Sequence, residues 1–446
     1  MEGPASPRSN PRRIGGGELS AEVRELVAPR GPLGVAVPAY DGRSLPNVAT
    51  SLVRALGGEP AAPALPPLAR ALDPFADGRA AGPVLLFVVD GLGYQRLRER
   101  GRRPGGRAAR AWLAHTAPIT SVFPSTTTVA LVSLATGAPP SRHGVVGYRQ
   151  FLPRIGSVVD ILRMSPLGVV HDDALVGPAW SPSTVVGAPT IYRQGISGAV
   201  AVSRDRFEAR GFTRMVYDGA EYEPYSAWAD LAAALVHLLG RAAPPPLVLA
   251  YWDELDTVQH LRGPAAPSVD LEIDRLTELL AFVARGVGPK AARTTTVLVT
   301  ADHGLVPVDP AAQTAVDAQP SIADHLGRPP TGDRRAGLFK ARAGEVGALE
   351  QALREGFPPG TTVLPSDAAV RHGLFGPPPY HPELLERIGD LVVLVPSPGG
   401  ITYALAGRGL SRRVLFGAHG GLEADELIVP LVAGRLDEFS LDGAAD

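Results

Sequence analysis

Three separated segments of the chain are unbroken apolar runs that each finish in acids: VLLFVVD at 84–90, PLVLAYWDELD at 246–256 and TTTVLVTADHG at 294–304. A strand with one face in water alternates apolar and polar residues. A run without alternation needs cover on both faces, as in a parallel sheet enclosed by helices. The intervening segments SAWADLAAALVHLLGR (226–241) and VDLEIDRLTELLAFVARG (269–286) read as helices, and TVALVSLATG (128–137) as a helix that stops at Gly137. Alternating strands and helices predict a doubly wound α/β fold, a three-layer αβα sandwich around a mostly parallel central sheet.

Around this core, at 81–307, the chain divides further. Residues 1–80 read as an N-terminal arm: polar and disordered to about residue 17, helical over NVATSLVRAL, then a Pro/Ala-rich connector at 57–83. Residues 308–400 read as an inserted α+β cap, with a helix near EVGALEQALREG and a strand at DLVVLVP. GAHGGLEADELIVPLV then opens the return to the core over 401–446. The Arg-rich stretch 96–110 reads as solvated surface.

Composition narrows the chemistry. The net charge of −2 argues against binding nucleic acid through phosphate neutralisation. With no cysteine, any metal site must use His, Asp and Glu. No apolar stretch approaches the roughly 18–20 residues of a membrane helix, and no secretory signal opens the chain, so a cytoplasmic location is expected.

Functional groups in open α/β sheets collect at the carboxyl ends of strands. Asp90 and the pair Asp302–His303 stand at such ends. Asp256 and His260 follow another at i, i+4 spacing, which puts both on one face of a helical turn. His419 lies between Ala418 and Gly420 in GAHGG, where glycines let the backbone carry an imidazole into a crowded site. Three carboxylates and three imidazoles suit zinc, with manganese or iron as weaker options. They suffice for two divalent ions, leaving a small positive excess that draws an anion such as phosphate. Ser125, Thr126, Thr127 and Thr128 precede the 128–137 helix, where the dipole and free N–H groups favour a nucleophilic hydroxyl. One of the four is also expected to cap that helix. The residue pattern does not choose among them.

Taken in order, VVDGLG (88–93), FPSTTTVALVSLATGAPPSRHGVVGY (123–148), DELDTVQHLRGP (253–264), VTADHG (299–304) and GAHGG (417–421) resemble the alkaline phosphatase superfamily, in its type I phosphodiesterase/nucleotide pyrophosphatase branch. The resemblance implies an alkaline-phosphatase-like core. It implies one zinc at Asp90, Thr127, Asp302 and His303, and a second at Asp256, His260 and His419. It also implies Thr127 as the nucleophile and a phosphothreonine intermediate that water then releases. The expected partner is a small phosphate ester, with no specific nucleic acid and no membrane. Eukaryote-like members carry P-N-H where this chain has Val129-Ala130-Leu131, so the Asn that helps bind a phosphoryl oxygen is absent at Ala130. That duty is expected to pass to the Thr127 N–H, to water, or to a group such as Tyr148 or Arg149. Alternatives within the superfamily are a phosphomonoesterase or phosphonate hydrolase; outside it, a non-catalytic binding protein on the same fold. Trp180, Tyr192 and Arg193, with Tyr148, are the aromatic and basic side chains that could stack on a nucleotide base.

Overall fold

The computed structural model describes residues 19–178, 180–404 and 414–440. The disorder expected for residues 1 to about 17 lies outside these. Val84–Val89 is the central strand of a seven-stranded sheet, and all six of its residues are buried. It pairs in parallel with Leu247–Trp252 on one side and Thr296–Thr300 on the other. Val200–Arg204 and Glu221–Tyr225 continue the parallel set beyond Leu247–Trp252. On the far side, Ile428–Arg435 runs antiparallel between Thr296–Thr300 and Thr116–Thr120. The sheet is therefore mostly parallel, and every apolar run of the sequence is a strand buried on both faces. Replacing a fully buried side chain such as Phe87 with Ala would cost about 3–5 kcal/mol.

The helices Trp228–Leu239 and Pro267–Val287 pack together against this sheet. Thr127–Thr136 ends at Gly137, whose φ of 68° is left-handed and easy only for glycine. The arm also belongs here. Helix Leu45–Ala55 packs on Thr127–Thr136 with nearly every residue buried, and Ala39 N–H donates to Thr120 Oγ1 at 2.9 Å.

The second sheet reaches beyond the expected cap. It has seven strands, ordered Thr362–Pro365, Leu391–Leu394, Ala336–Phe339, Thr331–Gly332, Arg149–Leu152, Ser157–Asp160 and Ser165–Pro166. Its last three strands come from 149–166, joined to the 308–400 segment where Gly332 pairs with Arg149. This sheet has its own core around Phe339, Leu349, Leu353 and Val393.

The Arg-rich stretch is solvated surface only in part: Arg102, Arg103 and Arg110 are exposed as expected, but Arg96 and Arg100 are not. Arg96 and Arg100 are each 5% exposed on helix Tyr94–Arg102. Arg100 grips Asp274 with two bonds, at 2.7 and 2.8 Å, and Arg96 pairs with Asp270. Both carboxylates lie one turn apart on Pro267–Val287, so the charges link two helices rather than face water. Among the described residues, no helix is long and apolar enough to cross a membrane.

Candidate metal centre and cleft

Three adjacent parallel strands deliver the acids to one place. Asp90 follows the central strand, Asp302 and His303 follow its neighbour, and the strand on the other side leads into helix Glu254–Arg262. Strands in a sheet lie about 4.8 Å apart, so residues just past their ends converge. Asp256 sits in the first turn of the helix and His260 one turn later, with His260 Nε2 3.3 Å from Asp256 Oδ1. His419 enters from the Gly417–Ala418 strand, which pairs with Val306–Pro307 just past His303.

The glycines permit this crowding. Gly91 has φ +78°, and a Cβ there would lie 3.0 Å from Asp256 Cα and 2.8 Å from Leu305 Cδ1. Gly91 N–H donates to Asp302 Oδ1 at 3.1 Å, so one residue touches all three acid-bearing segments. Gly420 has φ +116°, and a Cβ there would lie 2.9 Å from Asp333 Cβ.

The hydrogen bonds fix the tautomers. His260 Nδ1 lies 2.7 Å from Gly417 O, and His303 Nδ1 lies 3.1 Å from Gly304 O. A carbonyl only accepts, so both Nδ1 atoms carry the proton and both Nε2 atoms present lone pairs. His303 Nε2 stands 3.6 Å from Asp90 Oδ1 and 3.4 Å from Asp302 Oδ2. Asp90 Oδ1, Asp302 Oδ2, Asp256 Oδ1 and His419 Nδ1 are all buried without a hydrogen-bond partner. Acceptors facing acceptors in a dry site repel unless a cation lies among them. The residues thus fit divalent metal ions. Two groups have their ligand atoms within 4.8 Å of one another: Asp256, His260 and His419, and Asp90, Asp256 and His303. Asp256 is common to both.

Electrostatics tell the same story. Burial, reinforced by Asp302 and Asp256, holds the Asp90 carboxyl well above its ordinary range. Burial pushes Asp256 and Asp302 up to about 6. Burial pushes His303 down to about 3, with His260 adding to the effect. His419 is held well below its ordinary value by burial and by His303. A desolvated imidazole at His303 or His419 resists protonation, so protons that would compete with a cation sit first on the buried carboxylates.

The four hydroxyls are sorted by their partners. Ser125 Oγ donates to Gly421 O at 2.8 Å, Thr128 Oγ1 to Gly147 O at 3.1 Å, and Thr126 Oγ1 to Asp333. Thr126 holds the N-cap position but makes no side-chain capping bond, contrary to the expected cap. Thr127 Oγ1 alone of the four meets a lone pair of the cluster, 3.1 Å from His303 Nε2.

A cleft of about 850 Å³ opens over the cluster. Asp90, Thr127, Asp256, His260 and His419 form its floor, and Tyr148, Arg149, Arg334 and Tyr217 are among its walls. Ala130 is fully buried and does not border the cleft, whereas Leu131 does. At position 130 the cleft thus receives no side-chain donor. Trp180, Tyr192 and Arg193 do not border it either. Trp180 lies under Arg214, Tyr192 is 5% exposed in the core, and Arg193 pairs with Asp218 at the surface.

Sequence reasoning missed Tyr251, whose hydroxyl donates to Asp90 Oδ2, and Asp333, which accepts from Thr126 and lies 3.6 Å from His419 Nδ1. Tyr251 stands in a run already read as a strand, and its inward register was the available signal. Asp333 had none, since it arrives from the second sheet.

No curated protein matches the chain. Among solved structures it is similar to human ectonucleotide pyrophosphatase/phosphodiesterase 5, at 19% identity and TM-score 0.58, covering 79% of this chain and 87% of that one. An inactive form of the murine protein in complex with AMP aligns at 19% identity and TM-score 0.60, covering 80% and 90%. Phosphonoacetate hydrolase from Sinorhizobium meliloti 1021, in complex with phosphonoacetate, aligns at 19% identity and TM-score 0.55, covering 82% and 96%. The family model for type I phosphodiesterase/nucleotide pyrophosphatase matches residues 84–421. That span runs from the central strand past His419, and the chain belongs to this family of hydrolytic enzymes in the alkaline phosphatase superfamily.

Proposed function

We propose that the protein hydrolyses phosphodiester or pyrophosphate bonds at a two-metal site, with Thr127 as nucleophile and a phosphothreonine intermediate. The observation that carries this is Thr127 Oγ1, which faces the cleft 3.1 Å from His303 Nε2 while its neighbouring hydroxyls are tied to other acceptors. Asp90, Asp302 and His303, with Thr127, would hold one divalent cation; Asp256, His260 and His419 would hold the other. Zinc suits this N/O donor set, and manganese or iron suits it less well. When bound, the metals supply positive charge that acidifies the Thr127 hydroxyl and offsets charge on the phosphoryl oxygens.

The chain's own residues do the rest. Thr127 begins helix Thr127–Thr136, and the Thr126 hydroxyl is turned away to Asp333. First-turn N–H groups of the helix remain to receive a phosphoryl oxygen. Tyr148 borders the same cleft and offers a second donor. Attack by Thr127 Oγ1 forms the Oγ1–P bond and expels the leaving oxygen, and water then cleaves the ester. Phosphonate hydrolysis is the second reading, supported by the similarity to phosphonoacetate hydrolase.

The test is turnover of bis-p-nitrophenyl phosphate and p-nitrophenyl phosphate by zinc-loaded protein, with and without EDTA, beside Thr127→Ala. EDTA-sensitive preference for the diester is expected, with activity lost in Thr127→Ala while metal is retained. Preference for the monoester would overturn the diesterase reading. Full activity in Thr127→Ala would move the nucleophile elsewhere.

A further inference from the structure

Five arginines border the cleft, and three have carboxylate partners. Arg163 pairs with Asp172 at 2.6 Å, Arg206 with Asp253, and Arg210 with Asp173 at 3.3 Å. Arg149 and Arg334 have neither an ion pair nor a side-chain hydrogen bond among the described residues. Segment 405–413, between the cleft-lining Tyr403 and Leu415, contains no acidic residue that could serve them.

The contrast with the next residue is direct. In Asp333-Arg334-Arg335, Asp333 accepts from Thr126, and Arg335 is held by Glu423 and by Glu426 at 3.3 Å. Arg334 turns to the cleft instead. Arg149 reaches it from the adjacent strand, where Gly332 is its register partner. Both side chains line the same cleft, Arg334 two residues past the register partner of Arg149. Burial is the largest influence lowering the Arg334 pKa, Arg149 adds to it, and Asp333 opposes it. Asp160, the register partner of Arg149, and Asp333 lie close enough to act on these charges but bond neither guanidinium, and keeping two like charges half-buried without a bonded partner works against folding. Such an arrangement persists where a ligand supplies the missing charge.

We propose that Arg149 and Arg334 clamp a second anionic group of the substrate, beside the phosphorus that Thr127 attacks. The planar fork of each guanidinium suits two oxygens of a carboxylate or a phosphate. The clamp deepens the hydrolase reading and rests on it. It narrows the substrate to phosphorus esters, anhydrides or phosphonates that carry another anion one or a few bonds away. A simple diester would leave the two guanidinium groups unmatched.

Calorimetric titration of zinc-loaded protein with methylphosphonate, phosphonoacetate and methylenediphosphonate tests this without catalysis. The wild type should bind at least one two-anion ligand about tenfold or more tighter than methylphosphonate. Arg149→Gln and Arg334→Gln should each bring that ratio close to one. Tighter binding of phosphonoacetate would identify the second group as a carboxylate, and tighter binding of methylenediphosphonate as a phosphate. A wild-type ratio near one, or a ratio unchanged in both variants, would overturn the clamp. Should a Gln variant fail to fold, Arg→Lys keeps the charge but loses the fork, and an unchanged ratio there would overturn it equally. Because bis-p-nitrophenyl phosphate lacks a second anion, its resistance alone decides neither reading; if no two-anion phosphorus ester, anhydride or phosphonate is hydrolysed while the ratios behave as expected, the hydrolase reading fails and the pair remains an anion-binding site.

Discussion

Gly91→Ala is the smallest change that should disturb the whole metal centre. At φ +78° an L side chain is strained by about 1–2 kcal/mol. The new Cβ would meet Leu305 Cδ1 at 2.8 Å, a flexible tip that can give way. It would also meet Asp256 Cα at 3.0 Å and Cβ at 3.1 Å, at the start of a helix that cannot. Overpacking of this kind costs about 1–3 kcal/mol, so the total loss should be about 2–5 kcal/mol. The effect on metal is separable. Gly91 N–H donates to Asp302, and Gln259 Nε2 donates to Gly91 O at 2.9 Å, so relief of the clash moves Asp90, Asp256 and Asp302 relative to one another. Zinc affinity should fall about 10- to 100-fold, the usual scale for losing support behind the ligands. Urea unfolding of the metal-free protein measures the first quantity, and competition with a zinc chelator the second. A variant within about 0.5 kcal/mol of the parent, with the same zinc affinity, would refute the claim that close approach requires glycine here.

Other consequences are as direct. In metal-free protein, His303, held down near 3 by burial, should stay neutral from pH 8 to 5 by NMR, as should His419. Unfolded imidazoles take a proton near 6.5, so stability from these groups is lost as pH falls below that value. Asp256 and Asp302, raised to about 6, should gain protons as pH falls through 6, so zinc affinity weakens there; an imidazole assigned to His303 that titrates near 6.5 would contradict this. Asp333→Asn removes the charge behind Thr126 and His419 and should lower kcat/KM about 10- to 100-fold, and an unaltered value would show that Asp333 positions neither. Arg100→Ala leaves Asp274 unpaired at a helix junction. Because the Asp274 side chain is 29% exposed, the cost should be about 2 kcal/mol, below that of a fully buried pair; a thermal-melting shift too small for half that loss would mean solvent replaces the bond.

The parts of this protein readable from sequence are those encoded within one short window. VLLFVVD carries both its burial and its acid, DTVQH carries its own spacing, and the glycines of GAHGG announce a tight approach. What escaped depends on partners far along the chain. Arg96 and Arg100 look solvated until Asp270 and Asp274 arrive from about 170 residues away to neutralise them. Asp333 is an ordinary turn residue until the second sheet carries it to Thr126. The helix carrying Ala130 has no orientation in one dimension; packing turns Ala130 into the core and Leu131 to the cleft. Strands at 149–166 are too short to declare which sheet they join, and the pairing of Arg149 with Gly332 decides it.

The position of Ile428–Arg435 between Thr116–Thr120 and Thr296–Thr300 orders events in time. During synthesis the Thr116–Thr120 strand emerges some 300 residues before the strand that joins it to the sheet. Its hydrogen-bonding edge must wait, exposed or guarded by a chaperone, until that late segment leaves the ribosome. His419 precedes the same segment by only nine residues. Closure of the sheet and arrival of the last imidazole are thus one late event, so the proposed cation site of Asp256, His260 and His419 would be completed only in a nearly finished fold. Ribosome-arrested chains ending before residue 417 should accordingly bind less zinc than the released protein.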